Sequence, residues 1–486
     1  MIQLRPVKID DAQMVFEWRN SSFIIAPSTL QRKVTWNEHL SWFKKVVKAR
    51  DYRMFIIQNE EEPMGQVRFD RKDDDCKISV YLLEEFIGKG YGIEAIRQGC
   101  QTIFKLWDVN EVIAYVRGDN LDGYRAFIKS GFSERIGRRG CPASHFELAL
   151  SRILVPHNRL TFDKQEIRAV TEVIKSGMWA SGSKVQQLEK ELCITTNRKY
   201  SVCVGSGLGA IRLSLLALGI KTGNEVIVPA YSCVALANAV MSTGAIPIPV
   251  DITLGDWNID PIEVGRHINS RTKAIISVHT FGVPSDIDKL KEFGIPVIED
   301  CAHALGIEPL GSLGDITVTS FYATKLVGGG EGGAILTDNK DIADFVRGWR
   351  DYGDQPPSAT RLNDKMTDIE ASLTITQLRR LPSMIRKRKE IAQRYKELLH
   401  LTIPDINKKR IWYRYVVVVS NANETIKKMK EYRIIAEKPV EYWPTTRFPV
   451  AYKAYEKLVS LPLYPTLNEY EQDEVCSAFN SIMEIK

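Results

Sequence analysis

Helical patterns alternate with short, uninterrupted apolar runs along the sequence after about residue 160. The runs are rich in Val and Ile and lack the polar alternation of a half-exposed strand, so they indicate strands that are buried on both faces. Buried strands separated by helices form a parallel sheet that helices cover on both faces. The sequence therefore predicts an α/β fold here, with strands at EVIVPA, IPIPV, KAIISVHTF, PVIED and DITVTSFYA.

Residues before about 150 have a different pattern. The stretch YRMFIIQNEEEPMGQVRFDRKDDDCKISVYLLEEF alternates strand-like runs with turn residues at EPMG and at the acidic DDD (73–75), which predicts a meander of antiparallel strands. A metal site at DDD is the alternative, but a hairpin loop is preferred because three adjacent side chains on an extended chain do not converge. The length of 486 residues fits two or three domains. We expect one domain over residues 1–152 and a second over 153–486, joined within SRILVPHNRLTFDKQE.

Composition narrows the possible partners. The net charge is +6, but acidic and basic residues are interspersed without an aromatic-interleaved basic stripe, so no nucleic-acid partner is expected. No stretch approaches the roughly 20 apolar residues of a membrane helix, and the start MIQLRPVKID lacks an apolar signal core. The eight cysteines are scattered without CxxC pairs or His partners at metal spacing. A cytoplasmic protein with reduced thiols, no membrane span and no metal is expected.

A glycine-rich turn follows the strand-like start of VCVGSGLGAIRLSLLALGI (202–220) and precedes an amphipathic helix. Glycines at 205, 207 and 209 allow backbone N–H groups to approach an anion, and the positive end of the helix points the same way. A phosphate would bind well at this turn. Glycine-rich turns that serve packing alone are an equally good interpretation.

Carboxylates and a lysine follow further along the chain. The run GIPVIEDCAHALGI ends a predicted strand in Glu299 and Asp300, at the sheet edge where such folds bind ligands. For Asp300 taken alone, a helix-capping role is the preferred interpretation. Ser320 and Lys325 then precede the turn-forming run GGGEGG. A phosphate site, a carboxylate and a lysine are what pyridoxal phosphate (PLP) requires, because the lysine binds the aldehyde as an imine and the carboxylate keeps the pyridine nitrogen protonated. Lys325 would also carry the proton between the substrate carbon and the cofactor carbon.

From about residue 155 to the end, the sequence resembles the DegT family of sugar-nucleotide aminotransferases. The matching motifs are SGMWASGSKVQQLEKEL, GSGLGAIRLSLLALGI, EVIVPAYSCVALANAV, VIEDCAHALG, SFYATKLVGGGEGG, LNDKMTDIEASLTITQLRRL and SLPLYPTL. The resemblance implies a fold-type I aminotransferase, a three-layer αβα domain with a small C-terminal α+β subdomain. It also implies that Lys325 forms the imine, Asp300 pairs with the pyridine nitrogen and His303 lies near the ring hydroxyl. Without it, His303 would be interpreted as a satisfied helix histidine.

The resemblance assigns further residues to PLP and shows two departures. Ser320 and the amides of Gly207 and Leu208 would bind the phosphate, although Leu208 stands where the family usually has a threonine. Cys233 stands where the family often has an aromatic residue that stacks on the ring. The loop around Asn363 and Lys365 would reach the phosphate of the neighbouring subunit, which implies a homodimer with shared sites. Some family members that catalyse dehydration have a histidine in place of the lysine, so Lys325 favours amination.

The first domain has a similar glycine turn. ISVYLLEEFIGKGYGIEAIRQGCQTIF gives a strand, glycines and a helix, an arrangement that suits a pyrophosphate, and VNEVIAYVRGDNLDGYRAFIKSGF follows it. Residues 1–150, with VFEWRNS and EHLSWF, resemble the GNAT acetyltransferases, a mixed sheet with helices. The branch is the one that acetylates amino groups of sugar nucleotides, like the enzyme of the pseudaminic acid pathway. The resemblance implies that acetyl-CoA is bound by Gly88, Lys89, Gly90, Tyr91 and Gly92, with Asn120 near the pantetheine.

Two departures bear on acetyl transfer. Ile87 replaces the usual Arg or Gln, and Phe127 stands where many members have the tyrosine that protonates the leaving thiolate. Either Tyr124, water or the substrate supplies that proton, or the domain binds without catalysing. Catalysis is the preferred interpretation, because positioning a neutral amine is the main requirement.

Two transferases on one chain should share a metabolite. The expected function is transamination of a keto-6-deoxyhexose nucleotide at C4, with glutamate as amino donor, followed by N-acetylation with acetyl-CoA for surface glycan biosynthesis. The alternative is an aminotransferase whose GNAT-like domain binds substrate or senses CoA without catalysing.

Overall fold

The computed structural model describes residues 2–25, 32–60, 62–72, 75–107, 109, 111–134, 145–151, 155–352, 361–399, 410–440 and 446–484. The chain divides into two compact units, Met1–Leu154 with Asn468–Asp473 and Val155–Leu467 with Glu474–Lys486. Among the described residues, no helix has the length and apolar character needed to cross a membrane.

The first unit is a mixed sheet with helices. Its strands are β1 Gln3–Pro6, β2 Tyr52–Asn59, β3 Glu62–Lys72, β4 Asp75–Leu82, β5 Glu111–Arg117, β6 Ser133–Glu134 and β7 His145–Ser151. Its helices are α1 Ala12–Arg19, α2 Ser22–Ile25, α3 Trp36–Lys48, α4 Tyr91–Leu106 and α5 Leu121–Lys129. The described strands pair in the order β1-β2-β3-β4-β5-β7-β6, with β4 and β5 parallel and the other pairs antiparallel.

The predicted antiparallel meander is β2, β3 and β4. One detail of the prediction was wrong, because EPMG lies inside β3 and not in a turn. Glu60, with a left-handed φ of 55°, lies just before β3 and turns the chain there instead. Of DDD, residues 73 and 74 lie outside the described residues, and Asp75 begins β4.

The second unit contains the predicted α/β sheet. Its strands are β8 Tyr200–Val204, β9 Glu225–Pro229, β10 Ile246–Val250, β11 Thr272–Val278, β12 Val297–Asp300, β13 Ile316–Ser320, β14 Gly333–Thr337, β15 Tyr415–Val418 and β16 Leu458–Leu461. The helices that follow α5 along the chain are α6 Lys164–Ser176, α7 Ser183–Thr196, α8 Gly207–Ala217, α9 Ala235–Met241, α10 Pro261–His267, α11 Ile287–Lys291, α12 Lys340–Trp349, α13 Asp368–Leu398, α14 Ala422–Glu431, α15 Pro449–Lys457 and α16 Glu469–Glu484.

The main sheet of this unit has the described strand order β10-β9-β11-β12-β13-β14-β8. Helices cover both faces of this sheet. Alternate residues of a strand point to opposite faces, and those of β8 pack with different helices. Val202 and Val204 pack with residues of α8, α9 and α12, whereas Cys203 between them packs with residues of α7 and α13. The three-layer prediction is therefore confirmed, and the antiparallel pair β15–β16 with α14 and α15 forms the predicted small α+β part.

One strand departs from the predicted parallel sheet. β14 runs antiparallel to both β13 and β8. The connection from β13 to β14 is a loop without a helix, and adjacent strands joined in that way return antiparallel, since a parallel return requires a crossover. The same loop contains Lys325 and the glycine run.

Candidate active sites

The lysine loop occupies residues 321–332, between β13 and β14. Backbone hydrogen bonds close it at its base, from Phe321 N–H to Gly332 O at 2.8 Å and from Gly329 N–H to Phe321 O at 2.8 Å. Lys325 lies half-buried in this loop, with its Nζ 5.4 Å from the centre of the Tyr413 ring. The loop therefore places the Lys325 amine at the edge of the sheet, beside the face of the Tyr413 ring.

Asp300 and His303 lie at the same edge. Asp300 ends β12 and is 6% exposed, and its Oδ1 accepts a hydrogen bond from Ala302 N–H at 2.9 Å. This bond caps a turn. No helix begins at this turn, so Asp300 is not the helix cap that the interpretation of this residue alone predicted. Burial raises the pKa of Asp300, although the Ala302 hydrogen bond and the charge of Lys325 act against it.

His303 stacks on Tyr413, with ring centres 4.1 Å apart and ring planes 16° apart. Its Nδ1 is buried and has no hydrogen-bond partner among the described residues. Burial, together with the positive charges of Lys325 and Arg414, holds the pKa of His303 well below its usual value, so the imidazole is neutral. His303 is neither helical nor satisfied, which corrects the interpretation made without the family resemblance.

Glu299 has a different role from its neighbour. Successive strand residues point to opposite faces, so the Glu299 side chain points away from that of Asp300. The Glu299 carboxylate accepts hydrogen bonds from His279 Nε2 at 2.9 Å, Gly311 N–H at 2.7 Å and Gly314 N–H at 2.9 Å. Burial alone would raise the pKa of Glu299, but these hydrogen bonds outweigh it and lower the pKa to about 2. Cys301 lies near Glu299 and His279, and these three side chains could together hold a metal ion. Glu299 is already satisfied by several donors, so we assign it a structural role.

Gly207, Ser206 and Ser320 meet where α8 begins beside the end of β13. A Cβ at Gly207 would lie 2.7 Å from Ser320 Cβ, closer than real side chains approach, so only glycine fits. Ser206 caps α8 by accepting a hydrogen bond from Gly209 N–H at 3.0 Å. The first turn of α8 and the Ser320 hydroxyl thus lie together, as the predicted phosphate site requires.

The other predicted PLP residues lie in more exposed positions. Leu208 is in the first turn of α8 and is 36% exposed, and Cys233 is an exposed free thiol after β9. Asn363 is exposed, whereas Lys365 Nζ contacts Asp351 Oδ1 at 2.6 Å. The segment containing Asn363 and Lys365 is attached to the glycine turn, because Gly205 N–H donates to Asp364 O at 2.7 Å.

A cavity of about 460 Å³ lies beside Lys325, on the side of α6 and α13. Leu160, Phe162 and Ile167 line it, and they are 52%, 65% and 58% exposed. Further along α6 and beyond it, Ile174 and Trp179 are also at least half exposed. The surface next to Lys325 is therefore apolar and uncovered in the single chain.

In the first unit, the predicted acetyl-CoA residues lie at the start of α4. Gly88 and Gly90 have φ of 79° and 84°, which favours glycine, and a Cβ at either would meet no described atom within 4 Å. Lys89 is exposed, with its Nζ 5.7 Å from the Phe86 ring, and Tyr91 and Gly92 form the first turn of the helix. The turn thus presents backbone groups to open space.

The two strands on either side of α4 along the chain, β4 and β5, separate from each other. β4 and β5 pair only over Asp75↔Glu111, Cys76↔Val112 and Lys77↔Ile113, although β4 continues to Leu82 and β5 to Arg117. Beyond these pairs, each strand stays paired with its other neighbour, β3 or β7. The sheet therefore splays open beside the glycine turn.

Asn120, Phe127 and Tyr124 of this unit have local partners, whereas Ile87 is exposed. Asn120 caps α5 by accepting a hydrogen bond from Gly123 N–H at 2.9 Å. Phe127 is 7% exposed and packs edge-to-face on Phe132, with ring centres 4.9 Å apart. Tyr124 donates to Glu134 Oε2 at 3.3 Å, and burial and the charge of Glu134 raise the pKa of Tyr124. Ile87 is 47% exposed.

Tyr413 was not predicted as a site residue, because it lies far from Lys325 along the chain. Its backbone carbonyl accepts a hydrogen bond at 3.0 Å from the buried Arg388, whose guanidinium also donates to Leu463 O at 2.8 Å. Burial lowers the pKa of Arg388 to about 10. The aromatic run IWYRY was the only signal, and nothing in it distinguishes Tyr413 from its neighbours.

Two family models match different parts of the chain. The model described as DegT/DnrJ/EryC1/StrS aminotransferase family matches residues 161–480, and the model described as acetyltransferase (GNAT) domain matches residues 2–133. The spore coat polysaccharide biosynthesis protein SpsC of Bacillus subtilis (strain 168) is 33% identical over 377 residues, 68% of this chain and 97% of SpsC.

Solved structures are similar over the same part of the chain. DesV of S. venezuelae, in complex with a ketimine intermediate, is 27% identical with a TM-score of 0.62, covering 66% of this chain and 95% of DesV. NtdA from Bacillus subtilis, with bound cofactor PMP, is 28% identical with a TM-score of 0.61, covering 66% of this chain and 82% of NtdA.

Proposed function

Because the chain belongs to the DegT/DnrJ/EryC1/StrS aminotransferase family and carries an N-terminal GNAT domain, we propose that it performs two consecutive transfers on one sugar nucleotide. The first replaces a keto oxygen by an amine, and the second acetylates that amine. The single observation that carries this proposal is the grouping of Lys325, Asp300 and His303 at one sheet edge in a chain that also has an acetyltransferase domain.

The residues at the sheet edge fit PLP. The buried Nδ1 of His303 has no hydrogen-bond partner among the described residues, and a polar group of a ligand would supply one. Gly207 lies so close to Ser320 that no side chain fits at this position, so that only backbone amides can face a ligand there. Lys325 would hold the cofactor aldehyde, Asp300 the pyridine nitrogen, and Ser320 with the first turn of α8 the phosphate. When bound, PLP supplies an electron sink for the carbon that gains or loses the amine.

The protein's own groups then handle the protons. Lys325 Nζ carries a proton to and from the reacting carbon, a role that an amine on a closed loop can perform. Burial raises the pKa of Asp300, and a protonated ring nitrogen beside it would favour its charged form and offset this cost. His303 stays neutral and, stacked on Tyr413, keeps a fixed orientation.

We propose a keto-6-deoxyhexose attached to UDP or dTDP as acceptor, amination at C4, and glutamate as amino donor. The name of SpsC, a polysaccharide biosynthesis protein, supports a role in surface glycan biosynthesis. We assign both reactions to the cytoplasm, where nucleotide sugars, glutamate and acetyl-CoA are available together.

The acetyl transfer uses acetyl-CoA in the first unit. The positive-φ glycine turn at the start of α4 suits the pyrophosphate, and the splay between β4 and β5 suits the pantetheine arm. The amine nitrogen bonds to the acetyl carbon, the carbon–sulfur bond breaks, and the amine proton ends on the CoA sulfur. The domain boundary at residues 152 and 153 is part of this proposal.

We also propose a homodimer with shared sites. The exposed apolar residues Leu160, Phe162 and Ile167 beside the Lys325 cavity favour a second copy as their cover. Asn363 and Lys365 would then contribute to the phosphate site of the neighbouring chain.

One observation favours a second candidate function. Phe127 is buried against Phe132 and provides no acid for the leaving thiolate. An aminotransferase whose GNAT domain binds substrate or CoA without catalysing is consistent with this position.

The test separates the two steps. Lys325→Ala protein that receives a preformed amino sugar nucleotide and acetyl-CoA should release CoA and yield the N-acetyl product, but it should yield neither product from keto sugar and glutamate. Gly90→Val should let free amino sugar accumulate, since a β-branched residue does not tolerate a φ of 84°. Mass spectrometry over a panel of keto sugar nucleotides identifies the products. Acetyl-CoA binding by wild-type protein without acetylation of any amino sugar would instead establish the second candidate.

A further inference from the structure

One face of the first unit's sheet carries polar side chains that the proposed chemistry does not yet use. In β3, the apolar residues Val67 and Phe69 pack into the core beside α4, so the alternate residues Gln66, Arg68 and Asp70 point to the opposite face. Tyr81 of β4 is directly opposite Gln66 in the antiparallel ladder. We call Gln66, Arg68, Asp70 and Tyr81 the polar strip.

Each member of the polar strip has a buried polar atom without a hydrogen-bond partner among the described residues. Gln66 Oε1, Arg68 Nε, Asp70 Oδ1 and the Tyr81 hydroxyl make no hydrogen bond within the described part of the chain. Gln66 is only 4% exposed. Buried polar atoms in folded proteins are nearly always paired, and a group of four on one face indicates a site that is complete only with a polar ligand.

Neighbouring residues hold the strip in place. The Arg68 guanidinium lies 5.9 Å from the centres of both the Trp42 and the Tyr52 rings, and its Nε is 3.9 Å from Asp70 Oδ2, beyond hydrogen-bond distance. Burial raises the pKa of Tyr81, so its hydroxyl keeps its proton and can donate. The strip is therefore preorganised, although its members do not satisfy one another.

The strip also lies beside the proposed path of acetyl-CoA. Lys77 is the last β4 residue that pairs with β5, and Tyr81 is on the splayed part of β4 beyond it. Gln66, opposite Tyr81, is therefore at the same level of the sheet. A group bound by these two residues would lie next to the opening between β4 and β5.

The atom types identify the ligand. Gln66 Oε1 and Asp70 Oδ1 accept hydrogen bonds, Arg68 Nε donates, and the Tyr81 hydroxyl does both. A phosphate has few donors to offer the two acceptors, and Asp70 would repel it. A ring that carries hydroxyls and an amine has donors and acceptors at several positions.

We infer that the polar strip is the acceptor site of the acetyltransferase unit and binds the amine-bearing sugar ring, with Gln66 and Tyr81 nearest the acetyl group. The inference rests on the proposed function and adds to it the residues that select the amine substrate. Because Gln66 Oε1 and the Tyr81 hydroxyl make no hydrogen bond with the described residues in the free protein, their removal should reduce substrate binding without lowering stability.

Steady-state kinetics in the Lys325→Ala background test this inference, with a 4-amino-4,6-dideoxyhexose attached to UDP or dTDP and with acetyl-CoA. Gln66→Leu and Tyr81→Phe should each raise KM for the amino sugar at least tenfold and change KM for acetyl-CoA less than twofold. Their Tm should equal or exceed that of the parent.

Gln58→Leu on β2 is the matched control. Gln58 Oε1 accepts from Arg5 Nε at 3.1 Å and its Nε2 donates to Glu60 O at 2.9 Å, so both ends have partners. This change should lower Tm and leave KM for the amino sugar unchanged. An amino-sugar KM within twofold of the parent value in both polar-strip variants would overturn the inference.

A second measurement applies if the parent releases no CoA with any amino sugar. That result would contradict the proposed acetylation. The rise in Tm caused by the amino sugar nucleotide is then compared between parent and Gln66→Leu. The second unit is identical in both proteins, so its contribution cancels. A smaller rise in the variant supports a binding strip without acetyl transfer, whereas an equal rise rejects the strip as a site.

Discussion

At the scale of single residues, Glu299 and Asp300 show how neighbours in sequence acquire opposite chemistry. The sequence predicts both carboxylates at the strand end, and strand alternation separates them. It does not predict that Glu299 accepts hydrogen bonds from Gly311 and Gly314, because those contacts depend on a turn further along the chain. The Asp300 carboxylate accepts only the Ala302 N–H bond among the described residues, and burial raises its pKa.

Asp300→Asn should therefore separate stability from activity. In the cofactor-free protein we expect Tm to be unchanged or to rise by a few degrees, because a carboxylate whose charge is costly to bury is replaced by a neutral amide. Transamination should fall by several orders of magnitude, since the pyridine nitrogen loses its partner. Tm from circular dichroism and rates from keto sugar turnover test this, and a large loss of Tm would contradict it.

Glu299→Gln should have the reverse effect. The pKa of Glu299 falls from its usual value near 4.5 to about 2 on folding, so its carboxylate stabilises the protein above about pH 4.5 and this contribution is lost as the pH falls towards 2. A shift of this size corresponds to about 3 kcal/mol. The variant should be less stable at pH 7 and should lose less stability than wild type between pH 5 and 3. Urea unfolding at these pH values measures both effects, and parallel curves would contradict them.

At the scale of elements, the turn between β8 and α8 depends on its contact with the end of β13. Strand, glycine turn and helix were predictable from local pattern, because turn and capping signals are local. The approach of Gly207 to Ser320 was not, because it joins segments distant in sequence. The antiparallel β14 was missed for a similar reason, since its direction follows from the fold of the lysine loop.

Gly207→Ala should destabilise the protein by about 1–3 kcal/mol and weaken PLP binding, since the new Cβ would lie 2.7 Å from Ser320 Cβ. Ser320→Gly in the same chain should restore part of the stability by removing that contact. Gly348→Ala in α12 is the matched control, because a Cβ there meets no described atom within 4 Å, and it should be neutral or stabilise by up to about 1 kcal/mol. Urea unfolding and PLP titration distinguish the three, and equal stability of Gly207→Ala and wild type would count against a tight contact.

At the scale of the whole molecule, the motifs predicted both folds because each occurs in the expected order along its unit. The role of Asn363 and Lys365 is still a prediction. In the single chain, Lys365 contacts Asp351, so any contact with a neighbouring chain depends on assembly. No local pattern in the sequence distinguishes a Lys365 that contacts Asp351 in its own chain from one that contacts a neighbouring chain.

Mixed dimers test the shared site. Lys325→Ala chains and chains altered at Asn363 and Lys365 should each be inactive in transamination when pure. After subunit exchange, some activity should return, because one of the two sites in a mixed dimer would have all its residues. Exchange verified by native mass spectrometry without any recovery would mean that each chain completes its own site.

The early end of the β4–β5 ladder has a consequence for backbone dynamics. On their facing edges, residues 78–82 and 114–117 form no ladder with each other in the described structure, so their amides on those edges should exchange hydrogen with solvent quickly. The pantetheine arm of acetyl-CoA contains two amide groups and can pair with these edges like a short strand. Deuterium uptake at these residues should slow when acetyl-CoA is added and remain unchanged with adenosine 3′,5′-bisphosphate, which lacks the arm.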